Sequence, residues 1–450
     1  MIRWILLVGF ITSVVFATGA EKNQPNVILI LADDMAVGDL SCFNKGSSRT
    51  PNLDRLKSES VYFSQAYSGS SVCAPARASL LTGRYPHRTG VVTLNMEKYP
   101  EFTRLRLDED SLADRFRSGG YRTGIIGKWH LGLGKEYHPL RRGFDEVEVF
   151  LGHLMAQSYF AFQLDVNGTV EDFNKPNDYL TSELSSRAID FVRRNKEAPF
   201  FLYLAHYAPH RPIDAPAERV KPYLDQGLSE ETATVYAMIE IMDEGIGNLL
   251  EELDELGIAE NTIILFASDN GPDPLVEKRF NNGLRGAKYE VHEGGIRVPF
   301  MVRWDGRFSP GGSSAPIHFA DVFPTLVELC GLPDASEGGN KLDGVSLRSV
   351  LEGGEFDAPR HRFWQWNRWR PCYTHNAAIR EGDWKLVRPF VTKNMPKEPS
   401  RLPPALFHLD SDPSESNDVA AYHPDRVKRM NAVLRKWTEE IEKDRKRPAP

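Results

Sequence analysis

Cysteine is scarce in this chain. Its 450 residues include four, at positions 42, 73, 330 and 372, too few to act as a disulfide framework for a protein of this length. Stability must therefore come from a buried apolar core, which a 41% hydrophobic content can supply. Positive charge is also in deficit, with 55 lysines and arginines against 62 aspartates and glutamates and a formal net charge of −7. No global field draws such a chain to nucleic acid or to an anionic membrane. Affinity for an anion has to come from basic residues gathered locally. After the first twenty residues there is no long apolar run, so nothing there predicts a membrane span. The Cys/His spacings of zinc sites are missing, and no internal repeat is visible.

The N-terminus, "MIRWILLVGFITSVVFATGA", has Arg3 ahead of an apolar run and small residues from Ala17 to Ala20. This is the pattern of a signal peptide over residues 1–20, cleaved near Ala17 or Ala20. It predicts an exported protein, periplasmic or secreted, with no membrane span once the leader is gone. In an oxidising compartment Cys42 and Cys372 can either pair or stay free. Cys330 sits in "FPTLVELCGLP" at helical spacing with Leu326 and Val327, which predicts a buried position.

Four short apolar runs end in polar residues: "NVILILADD" (26–34), "RTGIIGKWH" (122–130), "FFLYLAHYAPH" (200–210) and "TIILFASDNG" (262–271). They lack alternation, which predicts strands buried on both faces. Helical patterns lie between them. In "EETATVYAMIEIMDEGIGNLLEELDEL" (230–256), apolar residues recur at i, i+3 and i+4, and Gly257 follows as a stop. In "SLADRFRSGGY", Ser111 is a candidate cap, with Gly119 and Gly120 at the end. Alternation of this kind predicts an α/β fold with a large, mostly parallel sheet flanked by helices. After about residue 355 the pattern changes to short strands and turns, with a final helix over roughly 424–442. The expected division is a larger domain over 21–355 and a smaller C-terminal α+β domain with antiparallel strands over 356–450. The last residues, "KDRKRPAP", are expected to fray.

In an open parallel sheet, ligands bind at the carboxyl ends of the strands. Asp33 and Asp34 end the first run, Lys128 and His130 the second, His206 and His210 the third, and Asp269 and Asn270 the fourth. Three carboxylates and an amide oxygen are hard ligands suited to calcium or magnesium. A further stretch, "SSVCAPARASLLTGR" (70–84), places Cys73 at or just before a helix that opens on Pro75 and stops at Gly83. A helix N-terminus favours an anion there, and Arg77 lies one turn on. Residue chemistry alone leaves two readings of Cys73, a structural thiol of lowered pKa and a reactive centre.

"CAPARASLLTGR" resembles the signature of the formylglycine-dependent (type I) sulfatase family, within the alkaline phosphatase-like superfamily: Cys-x-Pro-x-Arg followed by Thr-Gly. "NVILILADDM", "GKWHLG", "APHRP", "SDNG" and "LRGAKYEVHEGGIRVPF" resemble further family motifs in the same order. "IREGDWKLV" and "LFHLDSDPSE" are similar to its smaller domain. The resemblance covers nearly the whole mature chain, departing mildly at Ala74 and Ala76, where serine is frequent. It implies that a maturation enzyme oxidises Cys73 to formylglycine, an aldehyde that is hydrated in the site. It also implies that one calcium ion is held by Asp33, Asp34, Asp269, Asn270 and an oxygen of modified Cys73. Arg77 would steady the formylglycine and the sulfate, and Lys128 and Lys288 would counter sulfuryl charge. His210 would protonate the leaving group, with Lys288 beside it and His206 as the neighbouring alternative, and His130 would take the proton that lets sulfate leave.

The implied substrate is a sulfated carbohydrate or an aryl sulfate. "RHRFWQWNRWRPCYTH" (360–375) interleaves arginine and tryptophan, so Trp366, Asn367, Arg368 and Arg370 are candidate sugar contacts, alongside a bland reading in which the tryptophans pack a domain interface. His153 and Gln157 are further pocket candidates. Two other classes compete: a phosphate- or phosphonate-ester hydrolase of the same superfamily, and a sulfated-glycan-binding protein with unmodified Cys73.

Overall fold

Strands without a polar face can be buried on both sides, and the four apolar runs form the middle of the molecule. A computed structural model describes residues 24–150, 158–276, 279–333, 340–368, 371–389 and 400–448. The leader, His153, Gln157 and Arg370 lie outside the described residues. The strands Asn26–Ala32, Arg122–Lys128, Phe200–Ala205 and Thr262–Ser268 are joined by Glu146–Phe150. These five are parallel, in the spatial order 262–268, 26–32, 200–205, 122–128 and 146–150. Leu29 lies opposite both Tyr203 and Leu265, which fixes the register at the centre.

The ten-stranded sheet as a whole is mixed, because each flank brings in one strand that runs against the rest. On one side Phe300–Arg303 pairs antiparallel with both 262–268 and Val61–Phe63. On the other, Phe162–Val166 and Thr169–Phe173 form an antiparallel hairpin. Its turn residues Asn167 and Gly168 both have positive φ, 53° and 91°, the conformation that a two-residue hairpin demands. Thr169–Phe173 is largely exposed, so its polar residues suit the sheet edge.

Helices cover both faces. Leu180–Asn195 and Glu230–Glu255 pack on one, and Cys73–Thr82, Leu112–Ser118 and Val322–Leu329 on the other. The capping expectations hold: the Ser111 hydroxyl accepts a bond from Asp114 N at 3.2 Å, and Gly257 follows the long helix with φ of 68°. Cys330 is buried in the core. Cys42 and Cys372 are both free. Among the described residues no helix is long and apolar enough to cross a membrane.

A separate four-stranded antiparallel sheet, in the order 362–365, 377–381, 384–388 and 405–408, packs under the helix Pro424–Arg445. The fraying expected over "KDRKRPAP" is not seen in its described part, residues 443–448; Ala449 and Pro450 lie outside the described residues. Arg447 reaches Asp108 at 2.9 Å and its carbonyl accepts from Arg106 at 3.0 Å, so charge pairing holds the chain end against the body.

The small sheet is fastened to the large one by buried charge. Lys385 Nζ lies 2.8 Å from Glu293 and 3.0 Å from Glu415, with all three side chains wholly buried. Glu415 also accepts from Glu293 N at 2.6 Å and sits 3.1 Å from His292 Nδ1. Burial alone would raise the Glu415 carboxyl, but Lys385 and His292 hold it below its usual value. Glu415→Gln should therefore cost about 3 kcal/mol in denaturant unfolding at pH 7. A carboxyl of lowered folded pKa stabilises above its unfolded value and loses that contribution as pH falls below about 4.5. The gap between wild type and variant should accordingly narrow in acid. A gap that is flat down to pH 3 would contradict this assignment.

Candidate active site

The carboxyl ends of the parallel strands converge, and the reactive residues that follow them meet there. Arg77 donates from Nε to Asp269 Oδ2 at 2.9 Å and from Nη1 to the Lys128 carbonyl at 3.0 Å. Its Nη2 lies 3.3 Å from Asp33 and 2.8 Å from Asp269. Lys128 contacts Asp33, and Lys288 Nζ lies 2.7 Å from Asp34. Asn270 donates to Asp34 Oδ1 at 2.6 Å, and Asp34 N donates to Asp269 Oδ1 at 3.2 Å. Donor atoms of Asp33, Asp34, Cys73 and His210 all lie within 4.8 Å of one another. The structure thus gathers Asp33, Asp34, Cys73, Arg77, Lys128, His210, Asp269, Asn270 and Lys288, and His130 lies on the same rim two residues beyond Lys128.

Cys73 is the first residue of its helix, and the Gly83 that ends the helix has φ of 70°. Of the two readings of Cys73, the structural thiol of lowered pKa does not hold. Cys73 is 1% exposed, and burial pushes its pKa up to about 12 against the pull of Lys128 and Lys288. An unmodified Cys73 is a protonated thiol at neutral pH, not a ready nucleophile.

The two histidines are distinguished by their carbonyl partners. His130 Nε2 lies 3.2 Å from the Leu94 carbonyl, which can only accept, so Nε2 carries the hydrogen. His130 Nδ1, buried and without a partner among the described residues, keeps its lone pair. Burial and the charges of Lys128 and Arg77 hold the ring neutral. His210 has the opposite tautomer. Its Nδ1 donates to the Arg211 carbonyl at 2.6 Å, leaving Nε2 facing Asp34 Oδ2 at 3.8 Å. Burial, then Lys288 and Lys128, depress His210 to about 3. His206 does not join them: it is buried, neither ring nitrogen has a partner, and burial lowers it to about 3.

The backbone is strained where the chemistry gathers. Eight described non-glycine residues have positive φ, and Asp34 (69°), His130 (60°) and Tyr289 (83°) are at the site. Such conformations persist only when surrounding contacts impose them. Two more of the eight, Asn376 and Glu415, grip the loop that carries Lys288. Asn376 donates to the Tyr289 carbonyl at 2.6 Å and accepts from Val291 N at 3.0 Å. Tyr289 N donates to the Ser71 carbonyl at 2.8 Å. Gly271 is required by close approach, since a Cβ there would lie 1.9 Å from Gly294 O.

Sequence reasoning missed Tyr207, Tyr289 and Asn376. The Tyr207 ring has Lys128 Nζ 5.3 Å from its centroid and the His210 ring at 4.7 Å. The first two are sequence neighbours of predicted site residues, a usable signal; nothing local marks Asn376. Of the suggested sugar contacts, Trp366 is buried against Val72 and Tyr289, as the packing reading expected. Asn367 is buried too, accepting from Cys372 N at 2.9 Å and from Gln365 Nε2 at 2.9 Å. Arg368 alone of the described three is partly exposed.

The donor set fits a hard divalent cation. Among the described residues Asp33 Oδ1 and Asn270 Oδ1 are buried acceptors with no hydrogen-bond partner, an arrangement that normally signals an ion or water. Burial and the neighbouring Asp33 carboxylate push Asp269 up despite Arg77, and a cation would relieve that. Three carboxylates face the three cations of Arg77, Lys128 and Lys288. A divalent ion would leave an excess of two positive charges for an anionic ester and an ionising hydroxyl.

Comparison with known proteins agrees with this geometry. The family model described as Sulfatase matches residues 25–332. The chain is similar to N-acetylgalactosamine-6-sulfatase of Homo sapiens, 31% identical over 94% of this chain and 87% of that protein. It is also similar to N-acetylgalactosamine-6-O-sulfatase of Bacteroides thetaiotaomicron, 30% identical over 95% and 96% of the two chains. The crystal structure of Ps i-CgsB in complex with k-i-k-neocarrahexaose superposes with a TM-score of 0.82 at 29% identity, covering 95% of each chain. A shared family model, whole-length similarity and a common fold together establish that the chain belongs to the sulfatase family and is a sulfuric ester hydrolase.

Proposed function

We propose that the protein hydrolyses a sulfate ester on a sulfated carbohydrate, using a formylglycine made from Cys73 by a maturation enzyme and one calcium ion, after export directed by residues 1–20. The observation that carries this is Cys73 itself: a buried, protonated thiol within a ring of three cations and three carboxylates. Such a thiol needs conversion before it can attack sulfur. The carbohydrate class is supported by the relatives, two of which are named as N-acetylgalactosamine-6-sulfatases, and by the neighbour solved with k-i-k-neocarrahexaose.

Formylglycine supplies, as a hydrated aldehyde, one hydroxyl for attack on sulfur and a second for release of sulfate. Calcium, held by Asp33, Asp34, Asp269 and Asn270, supplies positive charge against the sulfuryl oxygens. The remaining work falls to the chain's own side chains. Arg77, locked by Asp33 and Asp269, presents a fixed guanidinium beside position 73. Lys128 and Lys288 bind the anionic ester and counter charge as it builds. The ester's negative charge offsets the two ammonium groups that depress His210, so Nε2 can take up a proton and pass it to the leaving oxygen. His130 Nδ1, with its free lone pair, accepts the proton that releases sulfate.

Rates on paired aryl sulfate and aryl phosphate test the reaction class. Sulfate should be the faster, and faster phosphate turnover would overturn the reading. Exhaustive chelation should reduce sulfate turnover to background, with calcium restoring it on titration to one equivalent by calorimetry. Full activity in a protein shown by elemental analysis to be metal-free would remove calcium from the proposal.

A further inference from the structure

Tyr289 has the largest positive φ of the described non-glycine residues. A bulky residue at φ of 83° is a genuine outlier, and strain of this kind collects where function needs a fixed geometry. Its ring is surrounded by cations. Lys288 Nζ lies 5.8 Å from the ring centroid and Arg368 Cζ 5.1 Å. The phenol oxygen accepts from Arg211 Nη2 at 2.7 Å.

The three cations differ in how they are balanced. Lys288 is paired with Asp34 and Arg211 with Asp273, each at 2.7 Å. Among the described residues no carboxylate pairs with Arg368, although it is partly exposed and its carbonyl is anchored by the Thr93 hydroxyl at 2.7 Å. Its guanidinium is therefore an unneutralised, pre-positioned donor, one aromatic ring away from the lysine of the scissile-sulfate pocket. Guanidinium groups read sulfate and carboxylate through paired N–H donors, and an aromatic edge beside them suits a sugar.

We propose that Tyr289 and Arg368 form a second anion subsite, which reads a further sulfate or a carboxylate on the carbohydrate beside the scissile ester. The inference rests on the sulfated-carbohydrate reading and deepens it: the preferred substrate carries at least two anionic groups. Arg211 acts through Tyr289 as a positioning residue.

Three probes separate the sources of the second anion: N-acetylgalactosamine 4,6-disulfate, an unsaturated chondroitin 6-sulfate disaccharide bearing a uronate, and N-acetylgalactosamine 6-sulfate with neither. Their affinities are measured by calorimetry in calcium-loaded protein carrying Cys73→Ala, so that nothing is turned over. One of the first two should bind about tenfold or more tighter than the third. That preference should collapse toward unity when Arg368→Ala is added, and Arg368→Gln should behave alike. The sulfate arm leading assigns a second sulfate, and the carboxylate arm leading assigns a uronate. Equal binding of all three, or a preference that survives loss of Arg368, overturns the subsite. Catalysis is scored separately, since failure of wild type to hydrolyse any sulfate ester would refute the proposed function while leaving this binding comparison decisive.

Discussion

Replacing Cys73 with alanine should lower kcat on any sulfate ester by about four orders of magnitude or more. The structure makes the expectation specific. Cys73 is 1% exposed, and burial holds the thiol near 12. A protonated buried thiol contributes little packing beyond what alanine retains, so the variant should fold and melt within a few degrees of wild type. Loss of rate with retained fold separates a reacting atom from a structural one. Mass spectrometry of the tryptic peptide Ser58–Arg77 provides the companion measurement. Active protein should show this peptide lighter by the change from thiol to aldehyde, with activity scaling with the converted fraction. Full activity in protein whose peptide carries an ordinary thiol would exclude formylglycine.

His210→Ala should show the second largest effect, and its size should depend on the leaving group. Loss of a general acid costs about 10²- to 10⁴-fold where the leaving oxygen needs a proton. An alkoxide from a sugar needs it; a nitrophenolate leaves well without it. Turnover of a sulfated sugar should therefore fall by a few hundred-fold or more, and that of a nitrophenyl sulfate by less than about tenfold. The His210 tautomer underlies this forecast. The Arg211 carbonyl fixes the hydrogen on Nδ1, so Nε2 alone can exchange a proton with substrate. Equal losses on both substrates would make His210 a binding residue instead.

The central strands were legible because burial on both faces leaves an unmistakable mark: "NVILILA" has no polar position after Asn26, and all seven residues are buried. The residues after each strand were legible for the same reason, since a buried parallel strand delivers its next residues to the ligand-binding edge. The sheet's flanks were harder. Thr169–Phe173 is short and largely exposed, so burial leaves no pattern in it, although the Asn167-Gly168 pair was an available hairpin signal. The low-pKa reading of Cys73 stayed open in the sequence because a helix N-terminus is visible there whereas full burial is not. At this position burial outweighs the cations of Lys128 and Lys288. Asn376 was illegible because its role depends on residues 87 positions away. Only the folded chain brings its side chain against Tyr289.

That separation along the chain also sets an order in time. The loop bearing Lys288 and Tyr289 is clamped by Asn376 and Glu415, which lie far C-terminal to Cys73 and to the loop itself. A ribosome that releases the chain N-terminus first exposes Cys73 before Asn376, about three hundred residues further on, has emerged. Throughout that interval the clamp on the loop beside Cys73 does not exist, and the cysteine that becomes wholly enclosed is still open to its surroundings. The loop beside Cys73 is thus fixed by residues made well after Cys73 itself.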